Sequence, residues 1–147
     1  MRPDVSRTLQ GVGINLLVNV AADVKTPFGL QTVNLAGALA LMASEEAERA
    51  VERLTTENRL VRDILRDGLE LGGDRRPAVE AGLATPPAPN LLVSSLQAEN
   101  DALRRALVDL HTAVEASESP AAQAMNERIW AELVESTRRR QFAARLG

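Results

Sequence analysis

His111 is the only histidine in the chain, and there is no cysteine. Any histidine-dependent mechanism, and any nitrogen ligation of a metal, therefore converges on one side chain. Glu115 lies four residues further on, so on a helix the two face one another. A zinc or di-iron centre needs several such ligands, and the Glu-x-x-His pattern of di-iron bundles does not occur on two helices. The pair reads as a partly exposed histidine beside a carboxylate. We expect no metal and no cofactor.

The remaining carboxylates fall among arginines on charged helix faces. Glu45 and Arg49 have favourable i,i+4 spacing, which contributes only tenths of a kcal/mol, on the order of 0.3. Gly11-x-Gly13 lacks a preceding strand and a third glycine, so it is no dinucleotide fingerprint. There is no Walker sequence and no nucleophile elbow. No catalytic residue is expected, and the chain is not expected to be an enzyme. Arg138, Arg139, Arg140 and Arg145 make the C-terminal turns basic. Cations there complement a helix dipole. They are also a candidate patch for an anionic partner, either an acidic protein or a phosphate-bearing ligand. No aromatic platform for stacking bases accompanies them. The formal net charge is −3, so no nucleic-acid partner is expected.

These residues must sit on helices. The longest spans about residues 31–67. Ala36, Ala40, Ala43, Ala47, Ala50, Leu54, Val61 and Ile64 recur at spacings of four and three, with one gap at Glu57. That is a helix period with a heptad flavour. Val33 to Ala43 is apolar nearly all round, which calls for burial on every side, whereas Glu45 to Asp67 has one apolar stripe and a charged remainder. A break at Ser44, where Ser-Glu-Glu could start a new helix, is the alternative.

Composition agrees with an all-α chain. Aromatic residues are scarce, namely Phe28, Trp130 and Phe142, and there is no tyrosine. The core must be aliphatic and alanine-rich, and no strand-like alternating runs occur. With no cysteine, disulfides and thiolate chemistry are excluded. No apolar run reaches the length needed to cross a bilayer, about 18–20 residues. Arg2 and Arg7 before an apolar stretch resemble a signal peptide, but Asn15 and Asn19 interrupt it and Asp23 closes it. We expect a cytoplasmic protein.

In chain order, Pro3-Asp4 opens a first helix running to about Val24. Val5, Leu9, Val12, Leu16 and Val20 share one face, and Ile14, Val18 and Ala21 the opposite one, so two neighbours are implied. Thr8, Asn15 and Asn19 form a polar flank, read as a solvated edge or as amides bonding across an interface. Pro27 and Gly29 turn the chain back into the long helix. Residues 69–89, with Gly72-Gly73 and Thr85-Pro86-Pro87-Ala88-Pro89, read as a flexible linker with an extended proline segment. They are a plain crossover, or else a proline-rich docking site or lid. Asn90 caps a third helix to about Ser117, striped by Leu92, Leu96, Leu103, Ala106, Leu107, Leu110 and Val114. Ser119-Pro120 starts a fourth, running to about Leu146, with Met125, Ile129, Leu133 and Thr137 inward.

One phrase occurs twice. Leu54-x-x-Glu57-Asn58-x-x-Val61-x-x-Ile64-Leu65 is echoed by Leu96-x-x-Glu99-Asn100-x-x-Leu103-x-x-Ala106-Leu107. Leu-x-x-Glu-Asn-x-x-Leu is common in coiled coils, so convergence explains it more readily than duplication. Both copies read as helix–helix packing surfaces.

The sequence outline also resembles a group of small bacterial all-helical proteins. The Pro3-Asp4 start, the apolar first helix, Asn34-Leu35-Ala36-Gly37-Ala38-Leu39-Ala40-Leu41 leading into a Glu/Arg-rich helix, and the closing Leu133 to Arg140 segment carry the likeness. Those proteins are often encoded beside aminoglycoside-phosphotransferase-like kinases, and their role is not established. The resemblance implies an accessory or partner-binding role and transfers no site residues.

The expectation is one all-α domain over residues 1–147, a four-helix bundle-like arrangement of two antiparallel helical hairpins, 4–67 and 90–146. The apolar first hairpin should form a homodimer, with Ile14, Val18, Ala21, Ala36, Ala40 and Ala43 as candidate self-association residues and with a protein partner possible on other helix surfaces. The alternative is an apolar small-molecule or acyl-chain carrier whose cavity is lined by Leu17, Val20, Leu39 and Met42.

Overall fold

The computed structural model describes residues 4–143. Every regular element among them is helical. The chain forms α1 (Val5–Asn15), a π-helical turn (Leu16–Val20), α2 (Ala21–Asp23), α3 (Pro27–Gly68), α4 (Arg76–Leu83), α5 (Val93–Glu115) and α6 (Pro120–Arg139). It divides into two compact units, one comprising Met1–Ala50 with Gln141–Gly147 and the other Val51–Arg140. The division falls inside α3. The 69–89 segment, expected as the junction of two hairpins, is interior to the second unit.

The first unit is a two-helix hairpin. Asp4 caps α1 by accepting the Arg7 N–H, as its position after Pro3 leads one to expect. α1, the π turn and α2 follow one another without a non-helical break. Thr26 Oγ1 accepts the Gly29 N–H at 3.1 Å and starts α3, which continues through Ser44. The break considered there does not occur, because Ser44 faces the first helix and donates its hydroxyl to the Ser6 carbonyl at 2.8 Å. The two arms touch most closely at glycines. A Cβ on Gly13 would lie 2.9 Å from the Gly37 carbonyl, and one on Gly37 would lie 2.6 Å from Leu17 Cγ. Only glycine allows that approach.

The second unit holds the hydrophobic core. Val61, Leu65, Val79, Leu103, Leu110, Val114 and Ile129 are fully or almost fully buried in it. The partners of α3 and α5 advance together along both helices: Asn58 with Asn100, and Gly68 against Leu110. These two stretches are therefore parallel. α6 runs against α5, since Arg104 meets Ser136 and His111 meets Asn126. The return stroke between the parallel helices is α4, which was expected to be linker. Its Val79 is fully buried and its Gly82 passes directly over Ala106. Eight residues with one buried valine leave too weak a period to stand out in the sequence.

Two boundaries also differ from expectation. Asn90 accepts the Leu92 N–H in a turn ahead of α5, and Leu92 occupies the cap position. α6 stops at Arg139, whereas Ser119 and Pro120 begin it as read, with Ser119 Oγ accepting the Ala122 N–H.

Candidate functional site

The gap in the apolar stripe at Glu57 is where the second unit is most unusual. Glu57, Asn58, Glu99 and Asn100 are all buried. Numbering heptads from Leu54 and Leu96 as d places both asparagines at a, both glutamates at g, and Arg62 and Arg104 at e. In a parallel pair, a g side chain reaches the next e side chain of the other helix. Both such pairs are made: Arg104 Nη2 donates to Glu57 at 3.0 Å, and Arg62 Nη2 donates to Glu99 at 2.6 Å. Between them Asn100 donates to Asn58 Oδ1 at 2.8 Å, across a separation of 42 residues. The recurring phrase is thus one side of a reciprocal contact, present on each helix.

The two ends of this contact are closed by different elements. At one end Arg140 Nη2 donates to Glu57 at 2.6 Å, and Ser136 donates to the same carboxylate at 3.2 Å. At the other end the proline segment closes it. Pro86, Pro87 and Pro89 have no N–H, so Ala88 carries the one backbone donor of that run, and it bonds Glu99 at 2.9 Å. Arg62 also donates to the Leu83 and Thr85 carbonyls at 3.0 and 3.1 Å. The segment therefore serves as a clasp on Glu99.

Charge balance follows from these contacts. Burial pushes the Glu57 carboxyl up, but bonds from Arg140 and Arg104 outweigh it and hold it below the usual glutamate range. Burial likewise opposes Glu99, and Arg62 with the Ala88 N–H lowers it overall. Glu132, buried on α6, ends above the usual range: burial dominates, the charge of Glu57 adds to it, and Arg139 only partly compensates.

A cleft of about 320 Å³ opens beside Glu99, lined in part by Thr55, Asn58, Arg62, Pro87 and Leu91. Asn58, Arg62 and Glu99 are already bonded to one another there. These bonds tie α3, α5 and the proline segment together. No group of three His, Asp or Glu side chains among the described residues could hold a metal ion.

Three arginines of the candidate C-terminal patch each meet a carboxylate of this chain. Arg138 pairs with Glu135 on the exposed side of α6, whereas Arg139 and Arg140 reach the buried carboxylates of Glu132 and Glu57. Arg145 lies outside the described residues. His111 sits 2.9 Å from Asn126 Oδ1 and 3.4 Å from Glu115, with Trp130 edge-on at 5.3 Å. Asn19 donates to Asn15 Oδ1 at 2.8 Å on the exposed side of the first helix, which suits a solvated edge and an amide row at an interface alike.

The self-association candidates lie in the hairpin unit. Ile14, Val18, Ala36 and Ala43 are exposed, and Ala21 and Ala40 are half-buried. The expected burial of Val33–Ala43 on every side is not met among the described residues. Val12, Ile14, Val18, Leu35 and Leu39 remain 46–64 % exposed, and Phe28 at the turn is 80 % exposed. Of the residues proposed to line an acyl-chain cavity, Leu17 and Met42 are half-buried and Val20 and Leu39 exposed.

Compared with protein-family models, curated proteins and solved structures, the chain matches none. No helix among the described residues is long and apolar enough to cross a membrane.

Proposed function

We propose that this is a non-catalytic, cytoplasmic helical protein that works by self-association and partner binding, with the hairpin unit as its working surface. The observation that carries this reading is the apolar surface left on two helices. Val12, Ile14, Val18, Leu35 and Leu39 stay roughly half exposed, while Gly13, Gly37, Ser44 and Ala50 are the buried described residues of that unit. Two helices in contact have too few inward positions to hide side chains on their outer faces. Covering such side chains yields about 25 cal/mol per Å² of apolar area removed from water, and contiguous patches of this kind mark interaction surfaces.

The second unit supports the reading from the other side. Its buried carboxylates are paired with arginines that also fix helix order, which suits a scaffold. The outline resemblance to small bacterial helical proteins points to an accessory role as well.

The test is absolute mass by light scattering over a range of concentrations. The natural chain should give a dimer, and Val18→Glu should give a monomer with an unchanged far-UV spectrum. A chain that is monomeric throughout sinks self-association. If such a monomer carries lipid detectable by mass spectrometry, the apolar surface belongs to a carrier.

A further inference from the structure

We infer that the hairpin's partner is a second copy of this chain, and that the two first helices pair antiparallel about a two-fold axis near Ile14 and Asn15. This rests on the self-association reading and adds the face, direction and register.

Asp4, Arg7, Gly11, Ile14 and Val18 follow one another at spacings of three and four, and all are exposed. The middle of that line is apolar or small. Its N-terminal end carries Asp4 and Arg7, and exposed Asp23 and Lys25 stand at the far end of the same arm. Each end therefore carries one charge of each sign, in the same order.

That order selects a direction. A parallel pair would set Asp4 against Asp4 and Lys25 against Lys25 of the other copy. An antiparallel pair sets Asp4 against Lys25 and Arg7 against Asp23, each contact occurring twice by symmetry. The Asp4–Arg7 ion pair within one chain is loose, at 3.5 Å with both groups well exposed, and the Asp4 carboxylate that caps the Arg7 N–H keeps lone pairs for a further cation.

Gly11 fixes the register. It sits mid-helix, where glycine costs about 1 kcal/mol against alanine, yet a Cβ there would meet nothing within 4 Å. Nothing among the described residues requires this glycine. In the register set by the charges, Gly11 faces Val18 of the other copy, so a flat spot receives the most exposed valine of the arm.

The chain has no cysteine, so single cysteines report this geometry cleanly. A residue at a two-fold axis meets its own copy. Asn15→Cys should form a covalent dimer under mild oxidation at least ten times faster than Ala124→Cys, an exposed control on α6. Gly11→Cys and Val18→Cys should cross-link faster when mixed than either does alone. Gly11→Leu should raise the dissociation constant of the dimer at least tenfold without loss of helix signal. If mass shows a dimer but Asn15→Cys cross-links no faster than the control, this pairing is overturned and self-association stands. A monomer by mass overturns both, and a monomer that floats with phosphatidylcholine vesicles assigns the face to lipid instead.

Discussion

Asn100 donates its side-chain amide to the side-chain carbonyl of Asn58 at 2.8 Å, and both asparagines are buried. An asparagine pair at facing a positions favours one register, because any slip sets an amide against hydrocarbon. Here the pair joins two stretches of one chain. Its effect is to choose which turn of α5 lies beside which turn of α3.

Asn58→Leu alone should destabilise the protein by about 1–3 kcal/mol, since Asn100 and Glu99 each lose a buried partner. The double variant Asn58→Leu/Asn100→Leu should recover part of that stability, since no amide is left unpaired while Glu99 and Arg104 each still lack a bond, and should lose the unique register. Thermal melts would show the recovery, and broadened amide cross-peaks in α3 and α5 would show the loss. A double variant with sharp native peaks would refute the register role.

Glu57→Ala should cost about 3 kcal/mol or more, because Arg104 is left facing a core without its carboxylate. Arg140 is better placed to turn to water, being the more exposed of the two arginines. Replacing the pair together, as Glu57→Leu/Arg104→Met, should return much of the loss, since desolvation offsets much of a buried pair's attraction. Urea midpoints compare the variants. A single variant no more costly than Glu115→Ala, on the exposed end of α5, would mean that the pair is immaterial.

Much of this centre was legible beforehand, and the illegible part has a physical cause. The stripe on α3 skips Glu57, and the Leu-x-x-Glu-Asn phrase recurs on α5, so both packing faces could be read from period alone. Arg62 and Arg104 could not, because an arginine at a heptad edge looks the same whether it meets water or a buried carboxylate. Arg139 and Arg140 read as part of an outward basic patch for the same reason: the buried carboxylates they serve, Glu132 and Glu57, are chosen by tertiary packing. The apolar Val33–Ala43 stretch implied burial, but a sequence does not say whether its cover comes from the same chain.

Acid should act on this centre in two opposed steps. Glu132 has a raised pKa in the folded protein, so the fold takes up a proton before the unfolded chain does. Stability from this group should rise as pH falls from its folded pKa toward the ordinary glutamate value of about 4.3. Glu57 and Glu99 are lowered, so their contribution is present above that ordinary value and is lost as pH falls through their folded pKa values. Unfolding free energy should therefore hold or rise slightly on mild acidification and then drop. Glu132→Gln should remove the first limb and keep the second. A profile unchanged by Glu132→Gln would contradict the assignment.

α4 should be sensitive to a single methyl group. A Cβ on Gly82 would lie 2.2 Å from Ala106 Cβ and near the Ala102 carbonyl. Alanine gains about 1 kcal/mol in helix propensity over glycine, but overpacking a close helix crossing costs about 1–3 kcal/mol. Steric cost should win, because α4 cannot retreat without drawing buried Val79 out of the core and pulling on the Leu83 and Thr85 carbonyls held by Arg62. Gly82→Ala should therefore lower the melting temperature. Ala106→Gly in the same chain should restore part of it by clearing the clash, less its own propensity cost. If Gly82→Ala is neutral or stabilising, α4 does not press on α5 as closely as the crossing at Ala106 requires.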